Sequence, residues 1–449
     1  MADVVVIGAG PTGCAAALAL AQRGAEVLLA EAQPKAAERF AGEWMHPPGV
    51  RKLAELGVDV DRLSRASGSG FVLLAPHEEP VQLPYARGYS LARIHHDLVF
   101  ELREIVSRHP RVQYRPGCAF RGFEGQAVIL EDQGQRQLVR PQRVIGADGR
   151  NSKVRAALDA PGAPQPISFM MGIEMKNVRL PFEGLGHVIA GGPGPALLYR
   201  VDKETIRGCL DVPIDLGGDA RKKEAIYRAF SRVLPRTLHK AFTESLQQAT
   251  PWAATRFAAR TFFGRENVWL AGDSVGHLHP ITGMGMTLGL LDAAAVAECD
   301  SLEQYEARRG NYIVELLTNV LYHVLRREDA SARRVRHGLL AMLRKDPRER
   351  LRTMRILTGE DENPTSFVQA FVKAAAVTIA DSLPLHPAHA GRDLGWLKWP
   401  MSAALSPFVE PRKLRAQSSF DTPIRDPRSL LFGRLAPFSN NSHASTPAE

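Results

Sequence analysis

A chain of 449 residues, 45% of them hydrophobic, has room for two or three domains around a sizeable core. Its four cysteines, Cys14, Cys118, Cys209 and Cys299, are too scattered for a metal spacing or a disulfide framework, and no apolar run reaches the roughly 18 residues of a membrane span. The net charge of +9 comes with no nucleic-acid reading motif. The expectation is therefore a cytoplasmic protein with no metal site and no nucleic-acid partner.

Residues 4–7, VVVI, suit a buried parallel strand and run into GAGPTG and an alanine-rich helix. Gly8 permits a tight turn, Gly10 lets the backbone approach a pyrophosphate, and Gly13 lets the helix pack close to the strand. Pro11 and Thr12 open that helix, whose N-terminus faces the anion. A second strand over 25–30 ends at Glu31, near the spacing at which a carboxylate accepts hydrogen bonds from an adenosine ribose. Strand, helix, strand and acid in this order predict a dinucleotide site.

Arg39 and Glu43 follow, ahead of a leucine-bearing helix, and Arg93 precedes a helix carrying Leu98 and Leu102. The strand 144–147 delivers Asp148 and Gly149, with Ser152 placed to cap the next helix. Residues 167–178, 187–190, 196–201 and 206–212 read as strands of a substrate-covering sheet, with helices near 219–234 and 237–248. Segments 71–74 and 80–83 should join its edge. GGPGPA from Gly191 has no helix after it, so it reads as a hairpin turn and not as a second dinucleotide fold.

The strand 267–271 ends in Gly272 and Asp273, and Pro280 to Gly285 leads into a helix through Leu288, Leu290 and Leu291. Asp273 can accept hydrogen bonds from ribityl hydroxyls. The N–H groups around Gly283, Gly285 and Met286 can meet a flavin's pyrimidine edge, where the helix dipole stabilises the charge of the reduced ring. Two glycine-rich turns can thus hold the two ends of one long cofactor, FAD. His277 and His279 flank the second turn, and their spacing alone makes no metal site.

Beyond Leu302 the pattern is helical to Pro384. Residues 326–355 hold eleven Lys or Arg against four Asp or Glu, with Leu339, Leu340, Leu343, Leu351 and Met354 between Arg333, Arg334, Arg336, Arg344, Arg348, Arg350 and Arg352. A solvated outer face on a helix packed against the flavin domain is the plainer reading; reversible peripheral contact with an anionic membrane is the other. Trp396, Trp399 and Met401 could cap a lipophilic pocket or pack under a C-terminal arm. The Ser/Asn/Pro-rich end after Phe438 reads as disordered.

GAGPTG, ADG and GDS, in that order, resemble the single-component FAD-dependent monooxygenases built like para-hydroxybenzoate hydroxylase. Within them the closest resemblance is to squalene epoxidase, carried by RFAGEWMHPPGVRKLAELGV, PALLYRVDKETIRGCLDVP and HPITGMGMTLGLLDA, all within residues 1–300. The expected architecture is α/β. A Rossmann-like FAD-binding domain comprises 1–70, 88–160 and 262–305, and an inserted α+β substrate domain comprises 71–87 and 161–261. A helical C-terminal region over 306–415 and an extended, partly disordered tail over 416–449 follow.

The resemblance implies FAD, NADPH or NADH as transient reductant, and O₂. It implies oxygen delivery from a flavin C4a-hydroperoxide to a lipophilic, isoprenoid or prenylated substrate, by epoxidation or hydroxylation. It makes Arg39, Glu43 and Arg93 flavin-proximal, and Trp44, Met45, Tyr199, Pro280 and Met284 pocket candidates with core packing as their alternative. An aromatic (phenol) hydroxylase, a geranylgeranyl-reductase-like flavoprotein and a flavin-dependent halogenase are the rival readings.

Overall fold

Val4–Ile7, buried at all four positions, lies inside a parallel sheet of the computed structural model, which describes residues 2–36, 42–161, 165–248, 251–310 and 313–382. The strand pairs in parallel with Val27–Glu31 on one side and Arg143–Gly146 on the other. Val112–Pro116 and Val268–Leu270 extend the sheet in parallel, and Gly264–Arg265 closes one edge antiparallel. Burial on both faces explains why these strands read as unbroken apolar runs. The Pro11–Gln22 helix buries an unbroken run from Gly13 to Ala21 and packs against the Gly285–Glu298 helix, where Ala293, Ala294 and Ala295 are equally small.

The second large sheet runs Trp252–Phe257, Gln165–Lys176, Thr205–Pro213, Ala196–Arg200, Leu185–Ile189, Gly70–Leu74, Val81–Pro84. Period-two alternation assigns its faces. Val188 and Leu197 point into a cluster with Leu321, Leu340 and Leu357 of the C-terminal helices, while Ile189 and Leu198 point into a cluster with Phe230 and Phe242. Each face is thus covered by helices. Those on the C-terminal side are Ile313–Arg326, Ala330–Lys345, Pro347–Leu357 and Pro364–Ser382.

The expected helices near 219–234 and 237–248 shrink to Lys223–Phe230, preceded by two 3₁₀ turns, and His239–Gln247, preceded by one. The 191–196 segment is the turn between antiparallel Leu185–Ile189 and Ala196–Arg200, as its glycines predict. Unread in the sequence were Trp44–Met45, Ser90–Ala92 and Ala66–Gly68, which pair in a small sheet of their own. Strands of two or three residues carry no period to read. Arg39, Trp396, Trp399, Met401 and the 416–449 tail lie outside the described residues. Among the described residues no helix is long and apolar enough to cross a membrane.

Candidate active site

The first turn has the geometry of an anion cradle. Gly8 has φ +99°, and a Cβ there would lie 2.6 Å from the Ala147 carbonyl oxygen. At Gly13 a Cβ would lie 1.8 Å from the Gly8 carbonyl oxygen, whereas at Gly10 it would meet no protein atom within 4 Å. Pro11 is the first residue of a helix with no side-chain cap, which leaves the Thr12 and Gly13 N–H groups facing the space above Gly10. The Thr12 side chain packs where the helix meets Gly272 and Gly289.

Glu31 fixes the far side. Its Oε2 accepts from the Ala9 N–H at 2.7 Å and its Oε1 from the Gln33 N–H at 2.8 Å. Arg103, absent from the sequence reading, closes this corner: Nε donates to the Ala9 carbonyl at 2.9 Å and Nη2 lies 3.1 Å from Glu31. Its signal was a cation on the buried face of His95–Ser107, beside Leu102 and Val106.

Asp148 turns its carboxylate to its own chain. It accepts from the Ser152 hydroxyl and from the Lys153 N–H at 2.7 Å, and Ser152 caps Lys153–Ala157 through the Arg155 N–H. Gly149, at φ +81°, donates its N–H to the Ser274 hydroxyl at 2.9 Å, joining the ADG and GDS turns.

A buried ionic network that the sequence reading missed holds the GDS turn. Asp292, 0% exposed, accepts from the Gly272 N–H at 2.8 Å, from Arg260 at 2.7 Å and from Arg309 at 2.8 Å. Arg260 also donates to the Gly272 carbonyl at 3.0 Å and lies 3.4 Å from Glu315. Burial alone would raise the Asp292 carboxyl; Arg260 and Arg309 outweigh it and hold the group below its usual range. Burial pushes Glu315 up to about 7. Removing one partner from such a buried set costs about 3–5 kcal/mol, so this turn is rigidly placed. Asp273 points outward and meets Arg150 at 3.1 Å.

The next turn, Pro280–Thr282, ends at Gly283 with φ +65° and leads into Gly285–Glu298, again a helix without a side-chain cap. The Gly285 and Met286 N–H groups at its start are therefore placed for a ligand. Three contacts pin the turn. The Trp44 indole N–H donates to Tyr85 at 3.0 Å, and the Tyr85 hydroxyl donates to His46 Nδ1 at 2.9 Å. His46 Nε2–H donates to the Thr282 carbonyl at 2.7 Å. A carbonyl only accepts, so this chain fixes the His46 tautomer, and burial lowers its pKa to about 4, keeping the ring neutral.

On the other side His279 Nδ1 accepts from the Ile281 N–H, and Nε2–H donates to Asp211 at 3.0 Å. The Tyr322 hydroxyl completes the fully buried Asp211 carboxylate at 3.1 Å. Thirdly, Thr318 spends its proton on the Val314 carbonyl at 2.7 Å, so the Thr282 hydroxyl donates to Thr318 Oγ1 at 3.2 Å.

The other sequence candidates are placed as follows. Glu43 is buried and its carboxylate is taken by Arg207 at 2.9 and 3.0 Å and by the Tyr199 hydroxyl at 3.1 Å, across the gap to the second sheet. Arg93 donates to the Leu63 carbonyl at 2.9 Å and pairs with Glu101, while its Nε has no partner among the described residues. Met286 adjoins Gly42, and Met45 is fully buried in the core of the first sheet. Met284 packs with Phe257, Leu278, Leu288 and Val314.

An apolar cavity lies between the second sheet and the four C-terminal helices, with about 1120 Å³ of space, its open end included. Its wall runs from Ile281 and Thr282 at the Pro280–Thr282 turn, past Phe71 and Leu321, to Phe367 and Ala374, with Thr282, Thr353 and Thr378 as the hydroxyl-bearing residues among those described. Trp44, Met45, Tyr199, Pro280 and Met284 stand outside that wall. Trp44 backs it through Phe71, at 5.5 Å between ring centroids, and Pro280 adjoins Ile281.

The donor set fits FAD. Two uncapped helix N-termini face open space, a Cβ-free gap lies above Gly10, and Glu31 stands at the ribose end of the first turn. Comparison with known proteins agrees: the FAD binding domain family matches residues 1–299. Squalene epoxidase 1 of Arabidopsis thaliana is 25% identical over 370 residues, 74% of this chain and 68% of that one. Squalene monooxygenase of Rattus norvegicus is 26% identical over 398 residues, 77% of this chain and 68% of its own.

Among solved structures, a flavin-dependent brominase superposes with a TM-score of 0.70 at 16% identity, covering 85% of this chain and 99% of the brominase. p-Nitrophenol 4-monooxygenase of Pseudomonas putida gives 0.67 at 19%, covering 81% and 98%. At such identities the superpositions speak for the fold alone. The chain belongs to the FAD binding domain family and, within it, to the FAD-dependent monooxygenases.

Proposed function

We propose that this enzyme uses NAD(P)H and O₂ to oxygenate a lipophilic alkene of isoprenoid type. The observation that carries the reading is the cavity wall, which presents apolar side chains and threonines from the Pro280–Thr282 turn outward and, among the described residues, holds no carboxylate, histidine, lysine or arginine. A phenol hydroxylase needs a base within reach of the phenolic proton. An alkene needs a dry, close-fitting wall and correct placement, and relatives named squalene epoxidase point the same way.

Bound FAD would supply the redox chemistry, taking reducing equivalents from NAD(P)H and activating O₂. The chain's share is binding, orientation and exclusion of water. Glu31 and the first helix N-terminus would hold the adenosine and pyrophosphate, and Asp273 the ribityl chain. The Gly285 and Met286 N–H groups would stabilise negative charge at the pyrimidine edge. Ile281 and Thr282 belong to both the pinned turn and the cavity wall, so the turn that would orient the ring also places the substrate.

The test is an incubation of FAD-loaded enzyme with squalene, NADPH and ¹⁸O₂, read by mass spectrometry. One labelled oxygen atom is expected in the product; a saturated or a halide-dependent product would replace the reading with a reductase or a halogenase.

The same reading includes reversible contact with an anionic lipid surface. Arg348, Leu351 and Arg355 are exposed on one stripe of Pro347–Leu357, with Leu351 44% accessible, and Val368 and Val372 are exposed on Pro364–Ser382. Arg336, in contrast, is buried against the Val324 and Arg327 carbonyls, and Arg344 is held by Glu78. Each exposed cation near such a surface contributes about 1 kcal/mol. Flotation with phosphatidylserine vesicles should therefore show binding at low salt that weakens in the double variant Arg348→Glu/Arg355→Glu. Equal recovery of wild type and variant would remove the membrane from the reading.

A further inference from the structure

The loop from Gly272 to Thr282 is bonded almost throughout. Asp273 has Arg150, Ser274 has Asp148 and the Gly149 N–H, His279 has Asp211, and Thr282 has Thr318. Arg155 donates to the Val275 carbonyl at 2.6 Å, and the His277 backbone bridges Ala258 in both directions. The exception is the His277 ring. It is 4% exposed, and neither Nδ1 nor Nε2 makes a hydrogen bond of good geometry among the described residues, the Asp273 backbone being the one polar group of the chain that draws on the ring.

Leaving a polar atom of a buried ring without a well-made bond costs up to about 1–3 kcal/mol, so a ligand that supplies one recovers that much on binding. Asp273 stands four residues before His277 on the same loop, with its carboxylate turned outward to Arg150 at 3.1 Å. Burial lowers the His277 pKa and keeps the imidazole neutral, with one donor and one acceptor. A hydroxyl, itself donor and acceptor, complements that pair; a phosphate, acceptor only, does not.

We propose that His277 binds the ribityl chain of FAD, pairing with its hydroxyls next to the carboxylate of Asp273. The assignment rests on Asp273 as the ribityl turn. Asp273→Ala tests that point separately, since unchanged FAD affinity there would fail the turn and not His277 in particular.

The experiment is a fluorescence titration of the full-length apoprotein with FAD, and with ADP as competitor, for wild type, His277→Leu and His277→Gln. His277→Leu should weaken FAD by about tenfold while leaving ADP affinity unchanged and without lowering the thermal midpoint of the apoprotein. His277→Gln, which keeps one donor and one acceptor, should restore most of the affinity. Wild-type FAD affinity in His277→Leu overturns the proposal. So does an equal loss for ADP, which would put the contact on the adenosine or pyrophosphate, or a lowered thermal midpoint in both variants, which would make the ring structural.

Discussion

Gly10→Val should give a folded protein that no longer holds FAD. The backbone at Gly10, φ −79° and ψ −176°, suits any residue, and a Cβ there meets no protein atom within 4 Å, so the folded chain loses little. The branched side chain instead fills the space through which a pyrophosphate must approach the Thr12 and Gly13 N–H groups. Two charge-assisted hydrogen bonds at about 1.5–3 kcal/mol each make the expected loss roughly a hundredfold to ten-thousandfold in affinity.

Gly13→Val is the contrast, because its Cβ would sit 1.8 Å from the Gly8 carbonyl oxygen and must push the helix off the strand. That variant should lose fold and cofactor together. Thermal unfolding of the apoproteins beside FAD titration separates the two cases, and a Gly10→Val protein with wild-type affinity would show that no phosphate lies over this turn.

Much of the cofactor site was legible because its demands fall on the backbone. Gly8 and Gly13 announce close approach, Glu31 stands at the end of its strand, and GDS leads to an uncapped helix; each is a local pattern. The missed residues act at long range. Arg103 reaches Ala9, and Asp292 gathers Arg260, Arg309 and Gly272. Nothing local says which cation a buried acid will meet, but a charge amid alanines at 293–295 or beside Leu102 was a readable sign that a partner exists.

The C-terminal third shows the limit differently. Its basic, leucine-bearing stretch reads as a solvated outer face on a helix packed against the flavin domain, whereas its buried apolar residues pack on the second sheet and Arg336, Arg344, Arg350 and Arg352 bond to carbonyls or carboxylates of the protein. Leu339 and Leu343 face the cavity, and Leu351 alone of the five apolar residues singled out is exposed. Amphipathic spacing identifies the apolar face of a helix without identifying what that face meets. The pocket candidates failed to mark the cavity for the same reason: they were chosen by nearness to flavin motifs, while the wall is built largely from Ile313–Arg326 onward.

If the cavity is where the alkene sits, filling it should stop turnover and leave the flavin in place. Ala374 lines the cavity from Pro364–Ser382, a helix that carries no residue of either glycine-rich turn. Ala374→Trp adds a large apolar side chain at the wall of a space of about 1120 Å³, its open end included, where it competes with a bound alkene at a cost to folding no greater than the roughly 1–3 kcal/mol of overpacking a filled core. Leu351→Trp, on the exposed stripe of Pro347–Leu357, is the matched control.

The decisive measurement is the initial rate of oxygenated product formed from squalene with NADPH, compared between these two variants and wild type at equal FAD loading. A fall of about a hundredfold or more in Ala374→Trp, the loss of roughly 3 kcal/mol of transition-state binding, with FAD affinity and Leu351→Trp both unchanged, is the predicted result. Full turnover in Ala374→Trp would contradict it and move the substrate out of the C-terminal cavity.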